Sequence, residues 1–270
     1  MPKVLTEDEL DRYERDGVHF PIPVLSAEET SKYLDAANDL EERLGGRPHP
    51  IEMTQLNVHF QWAHELVTHP KILDSMEDLL GPNLIVWSAG LMPKHPHDSG
   101  YISWHQDGTY WNLDSSQVGS AWVALSNSLV ENGCMRVVPG SHRMDIQPHK
   151  QTFAKDNLLT RGQEIEVAVR EEDITDIVLE PGEMSLHHVR IIHGSSANHS
   201  DEKRVGLVIR YVTPAVSQIG DKPKALLARG RDDYGHYDLI DPPGDMSMDV
   251  AVAELKESTR AHHASVMKVN

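Results

Sequence analysis

Trp104-His105-Gln106-Asp107-Gly108-Thr109-Tyr110-Trp111 is the stretch from which the rest of the 270-residue chain is read. Side chains two apart on a β-strand project to the same face. An extended reading therefore puts the His105 imidazole and the Asp107 carboxylate at one point and turns Gln106 away. Ile192-His193-Gly194-Ser195 supplies a third donor in His193. Two histidines and one carboxylate on one face of a metal leave the opposite positions open, which is the donor set of a non-haem Fe(II) oxygenase. A His-x-Asp by itself is ordinary on an exposed strand, so its weight comes from what accompanies His193.

That companion is Arg204, at the head of the run Val205-Gly-Leu-Val-Ile-Arg-Tyr-Val212. If this run pairs antiparallel with the His193 segment across the turn Asn198-His-Ser-Asp201, Arg204 returns to His193 with its guanidinium inside the protein. A buried guanidinium needs an anion, and its planar fork matches a carboxylate. No acidic residue in the immediate neighbourhood offers one, so a bound dicarboxylate is expected.

Outward from these stretches the apolar pattern changes period. Thr6 with Glu9 and Ser26 with Glu29 fit capping boxes, predicting helices near 7–16 and 27–44, the second stopped by Gly45-Gly46. A third helix is expected from Pro70 to Gly81, with Ile72, Leu73, Met76, Leu79 and Leu80 on one stripe. Short apolar runs follow at about 84–92, 102–107, 119–126, 134–138, 164–169, 176–180, 183–188 and 205–213. Turn residues such as Glu131-Asn132-Gly133 and Pro181-Gly182 separate them, and many short strands predict a sandwich or barrel. The polar segment 143–163 reads as a long loop over the barrel mouth or as disorder. From 218 the chain turns polar, with a short helix expected at 249–259, and no internal repeat is present.

Composition narrows the partners. Asp and Glu number 42 against 25 Lys and Arg, a formal charge of −17, and no basic cluster offers a face to nucleic acid or anionic lipid. A small-molecule substrate is expected instead. No stretch approaches the ~20 apolar residues needed to span a bilayer, and the first residues lack an apolar signal core, so no membrane association and a cytoplasmic location are expected. The single cysteine, Cys134, reads as a small buried hydrophobe in a reducing compartment. No feature sets an oligomeric state.

Three motifs together carry a resemblance: Trp104 to Trp111; Glu131-Asn-Gly-Cys-Met-Arg-Val-Val-Pro-Gly-Ser-His142; and His193-Gly-Ser-Ser-Ala-Asn198 with Arg204 and Tyr211. From about Leu10 to Pro214 the chain resembles the phytanoyl-CoA dioxygenase (PhyH) family of Fe(II)- and 2-oxoglutarate-dependent oxygenases. The resemblance implies a mostly β fold with flanking helices, a double-stranded β-helix (jelly-roll, cupin-like) barrel. Within one domain, residues 1–82 would form a helical region packing on the barrel, 83–214 the core, and 215–270 a C-terminal extension. It also implies that His105, Asp107 and His193 bind Fe(II), and that Arg204 and Ser195 hold the distal carboxylate of 2-oxoglutarate. Trp122 would line the co-substrate pocket, and O2 is the other co-substrate. Asn57 stands where relatives often carry Lys, a departure from the pattern, and Ser88 precedes the strand that backs the site. Halogenating relatives carry a small residue where Asp107 stands. Hydroxylation of an unactivated C–H is therefore implied, with succinate and CO2 as co-products.

Other residues have plainer readings beside their functional ones. Tyr110 and Trp111 are candidates for the substrate mouth, with packing as the commoner role. His187 and His188 are adjacent on a strand, so one faces inward; His187 is the candidate for a substrate contact. Lys94 reads as solvated or as a contact to an anion, His95-Pro-His-Asp98 as a solvated turn, and His262-His263 as surface. Two other functions compete: a non-oxidative cupin-type isomerase or hydrolase, against which Arg204 argues, and a non-catalytic ligand-binding barrel, against which the intact donor set argues.

Overall fold

The computed structural model describes residues 2–109, 111–220, 222–244 and 246–266, with side chains as far as Arg260. Both predicted capping boxes form. Thr6 opens α1 (Glu7–Asp16), and Ser26 opens α2 (Ala27–Arg43) after the strand β1 (Val18–Pro23). Gly17, at φ +76 in the left-handed region, ends α1 and lets the chain turn directly into β1. Three further helices follow: α3 (Leu56–His59), α4 (Gln61–Val67) and α5 (Pro70–Leu80). The strands are β2 (Leu84–Leu91), β3 (Ile102–His105), β4 (Val118–Ala124), β5 (Met135–Val137), β6 (His149–Gln151), β7 (Gln163–Ile165), β8 (Thr175–Ile177), β9 (Glu183–His188), β10 (His193–Ser195), β11 (Gly206–Val212), β12 (Lys224–Arg229) and β13 (Asp238–Leu239). The last helix, α6 (Met248–Val266), closes the described chain.

These strands make a seven-stranded sheet, β1-β9-β4-β11-β2-β12-β13, facing a four-stranded sheet, β3-β10-β5-β8, with β6 and β7 as a separate hairpin. All pairings are antiparallel except β12 with β13. Between β2 and β5 successive strands alternate between the two sheets, and between β8 and β11 they do so again, which is the winding of a jelly roll.

The two faces of the large sheet carry different chemistry. One face puts Ala121, Val123, Leu186, Leu207, Ile209 and Tyr211 against a helical layer that includes Leu40, Leu66, Ile72 and Met76. The other face looks toward the small sheet. There Val208, Trp122 and Ala124 pack with Met135, Val137 and Ile191, and the polar side chains of Ser120, Ser185, His187 and Arg210 are interleaved among them. Residues paired directly across antiparallel strands share a face. The registers Arg210↔Ser120, Ser120↔His187 and Trp122↔Ser185 therefore set those groups side by side.

Four expectations need correction. The His193 and Arg204 segments do not form a hairpin: β10 lies in the small sheet and β11 in the large one, because the jelly roll sends consecutive strands to opposite sheets. Arg204 is instead bridged to Lys94 through two backbone hydrogen bonds. Asp107 is not on the strand. β3 ends at His105, and Asp107 begins a 3-10 turn to Thr109. Segment 143–163 is largely the expected loop at the cleft, with Leu159 in its lining, but β6 and the start of β7 fall in it and it is pinned to the barrel wall. Asn157 Nδ2 donates to Ser103 Oγ at 2.8 Å, and Leu158 N donates to Tyr101 O at 2.8 Å. Finally, the polar tail adds β12 to the large sheet, and α6, longer than expected, buries Ala251, Val252 and Leu255 in the main core.

Candidate active site

The site begins with one strand pair. β3 and β10 align His105 opposite His193, so both imidazoles leave the same face, with ring centroids 4.1 Å apart. The turn after β3 brings Asp107 back to them, and its Oδ1 lies 3.3 Å from His105 Nε2. One donor atom from each of His105, Asp107 and His193 lies within 4.8 Å of the others, and all three residues are buried.

Hydrogen bonding fixes which ring nitrogens face inward. His105 Nδ1 lies 2.9 Å from Ser103 O, and His193 Nδ1 lies 3.1 Å from Ile191 O. A carbonyl only accepts, so each Nδ1 donates its hydrogen and Nε2 is the nitrogen each ring turns toward the site. His105 Nε2 then faces the Asp107 carboxylate oxygen, a contact that a shared cation can take over. Burial, opposed in part by the Asp107 charge, pulls His193 down to about 3, so its ring is neutral as a metal ligand must be. Burial works against the Asp107 charge, but the hydrogen bond from His105 and the Arg210 guanidinium outweigh it and hold the carboxyl below the usual range. A neutral His193 ring, the inward Nε2 of His105 and an ionised carboxylate suit a divalent cation of the Fe(II) type.

Beside this cluster runs a cleft lined by Met92, Trp122, Met135, His187, Ser195 and Arg204, with Leu159 reaching in from the chain between β6 and β7. Arg204 is 2% exposed. Its guanidinium donates to Gly133 O at 2.5 Å and Met92 O at 3.1 Å, while Nε has no partner. Burial pulls it down to about 10, so it remains charged. The guanidinium carbon lies 5.2 Å from the centre of the Trp122 ring. Gly206 makes that contact possible, since a Cβ there would fall 2.1 Å from Trp122 Cζ2. Gly133, at φ +77, bends the 131–133 turn so that its carbonyl meets Arg204.

The remaining candidates divide. His187 lines the cleft, its ring 5.4 Å from His193, and burial draws it down to about 4. Trp111 packs over Arg210 at 5.0 Å and against Trp87 at 5.1 Å, outside the cleft lining. Ser88 pairs with Arg210 in the β2–β11 register without lining the cleft. Asn57, on α3, is also absent from the lining, and its buried Oδ1 has no partner. Tyr110 and the side chains of His262-His263 lie outside the described residues. Lys94 is buried rather than solvated, His95 pairs with Glu41 of α2 rather than standing in solvent, and Cys134 is buried with its thiol pushed up to about 11.

Arg210 is a functional candidate that the sequence reading passed over. It lines the cleft and its Nε lacks a partner. The signal was the two-residue period from Arg204 through Gly206 and Val208, which puts Arg210 on the same face.

A jelly roll with two imidazoles and a carboxylate, beside a buried guanidinium that pairs with no acid among the described residues, could hold one metal ion in the manner of the oxygenase class. The family comparison agrees: the model for phytanoyl-CoA dioxygenase (PhyH) matches residues 13–206, and the chain belongs to that family. Among individual proteins, it is 27% identical to a probable alpha-ketoglutarate-dependent hypophosphite dioxygenase of Stutzerimonas stutzeri over 69% of this chain and 71% of that one. The chain spans about half the length of the curated phytanoyl-CoA dioxygenases it matches. Among solved structures, the non-haem monooxygenase ThoJ is 31% identical with a TM-score of 0.81, covering 96% of each chain. The alpha-ketoglutarate-dependent carbocyclase SnoK, from nogalamycin biosynthesis, is 27% identical with a TM-score of 0.64, covering 81% of this chain and 89% of its own. Among the described residues no helix is long and apolar enough to cross a membrane.

Proposed function

We propose that the protein is an Fe(II)- and 2-oxoglutarate-dependent dioxygenase that hydroxylates an unactivated C–H bond of a small molecule. The observation that carries this reading is Arg204: a buried guanidinium with an unpartnered Nε, facing the same cleft as the three donor side chains. A non-oxidative isomerase or hydrolase using the same donors has no need of that charge, whereas a keto-dicarboxylate satisfies it bidentately. His105, Asp107 and His193 hold the iron, and Arg204 and Ser195 take the distal carboxylate with the Trp122 ring alongside.

When bound, iron and 2-oxoglutarate supply with O2 an oxidant able to take hydrogen from carbon, releasing succinate and CO2. The chain's own residues orient and exclude. Met92, Met135, Val208 and Leu159 keep water from the cleft. Neutral His187 faces the reacting region as a hydrogen-bonding group for substrate. The Asp107 carboxylate occupies the place a halide would need, which favours oxygen transfer over halogenation. The likeness to a carbocyclase makes oxidative ring closure the second outcome of the same hydrogen removal.

The test is an anaerobic titration of metal-free protein with Fe(II) and then 2-oxoglutarate. A visible absorption band requiring both, lost on admitting O2 as succinate forms, is the expected result. A protein that binds metal but gives neither band nor succinate is no 2-oxoglutarate oxygenase.

A further inference from the structure

Lys94 is a buried basic residue to which the proposed function gives no role. It is 1% exposed, and its Nζ lies 2.7 Å from Ser195 Oγ and donates to the Ser196 carbonyl, not to a carboxylate. Its backbone is tied to Arg204: Lys94 N donates to Arg204 O at 2.8 Å, and Arg204 N donates to Lys94 O at 2.9 Å. Ser195 and Arg204 line the cleft, and Lys94 stands behind them. Two basic side chains thus serve one wall, one directly and one through a hydroxyl.

Donor counting gives that hydroxyl a direction. An ammonium has three donors and no acceptor, so charged Lys94 makes Ser195 the acceptor and leaves the hydroxyl hydrogen to point into the cleft. A neutral amine has a lone pair and takes that hydrogen back. We propose that Lys94 is a positioning residue for 2-oxoglutarate. As an ammonium it turns Ser195 into a donor toward the distal carboxylate beside Arg204, and binding of the dicarboxylate draws a proton from solvent onto Lys94.

This inference rests on the proposed function. The groups facing Lys94 support the proton step. Burial, then the Arg204 charge, pull it down to about 6, with Cys134 and Asp98 acting weakly the other way. Before the co-substrate arrives most molecules therefore hold the neutral amine at pH 7.5, and the incoming carboxylate supplies the missing counter-charge. Uptake of a proton means that binding tightens as pH falls and weakens as it rises.

Calorimetry of 2-oxoglutarate binding to the full chain loaded with Mn(II), without O2, tests this in buffers of different ionisation enthalpy between pH 6 and 9. Near pH 7.5 wild type takes up close to one proton per 2-oxoglutarate, and affinity falls by up to about tenfold per pH unit above that. Lys94→Arg keeps a permanent charge and binds without the uptake. Lys94→Met shows no uptake and binds at least about tenfold more weakly. Wild-type binding that is flat with pH and takes up no proton overturns the proposal, and that measurement needs no variant to fold. Uptake that survives in Lys94→Arg also overturns it. Arg204→Met separates the two layers. Unchanged binding there would sink the 2-oxoglutarate reading itself, whereas binding lost there with no wild-type proton uptake sinks only the role of Lys94.

Discussion

The Asp107 carboxylate reaches the two imidazoles from the turn that follows β3, with Oδ1 3.3 Å from His105 Nε2. Asp107→Ala removes the only acidic donor of the cluster. The variant is expected to keep its far-UV circular dichroism while losing retained iron and succinate formation; iron-dependent turnover in it would take Asp107 off the metal. For Arg204→Ala the expected effect is a KM for 2-oxoglutarate raised about tenfold or more, since a charge-assisted contact contributes about 1.5–3 kcal/mol. An unchanged KM would assign the distal carboxylate to another group. His105, His193 and Arg204 were visible because their residue types have few other reasons to recur in that pattern. Lys94 was not, because nothing local to it tells a buried lysine from a solvated one. Arg210 is harder to see for a related reason: β11 is apolar on both faces, so only counting in twos from Arg204 places Arg210 on the cleft side.

At the scale of elements, α1 and α2 are legible because capping boxes are local signals, whereas α3 and α4, which have no side-chain cap, are not. β1 escaped notice because Pro21 and Pro23 argue against a strand; they are tolerated because β1 is the edge of its sheet, where unpaired backbone costs little. The β6–β7 hairpin was hidden by strands of three residues each, held by contacts to β3 rather than by their own pattern. β11 and β4 depend on each other through Gly206 and Trp122. Gly206→Ala forces the indole away and is expected to cost about 1–3 kcal/mol as overpacking. It should also weaken 2-oxoglutarate binding, because Trp122 flanks Arg204. Denaturant unfolding and a binding titration check the pair; if neither moves, the glycine does not hold the ring.

Across the whole molecule, protonation links the site region to stability. Burial draws His187 and His188 down to about 4, while in an unfolded chain they titrate near 6.5. Between those values the unfolded chain binds protons that the folded one refuses. Stability is therefore full above about pH 6.5 and declines as pH falls toward 4, by up to about 3 kcal/mol per ring. Urea midpoints of metal-free protein at pH 7.5 and 5 test this, and equal midpoints would mean that the rings charge without cost. The burial of Cys134 has a different consequence, for the working life of the protein. Its thiol is enclosed and pushed up to about 11, so it holds almost no thiolate, while the thioethers of Met92 and Met135 line the cleft itself. An oxidant formed there without substrate meets those methionines first, so wear should be recorded as sulfoxide at Met92 and Met135 and not at Cys134. Peptide mass spectrometry after substrate-free turnover reads that record, and methionine sulfoxide reductases would then set how long each molecule stays in service.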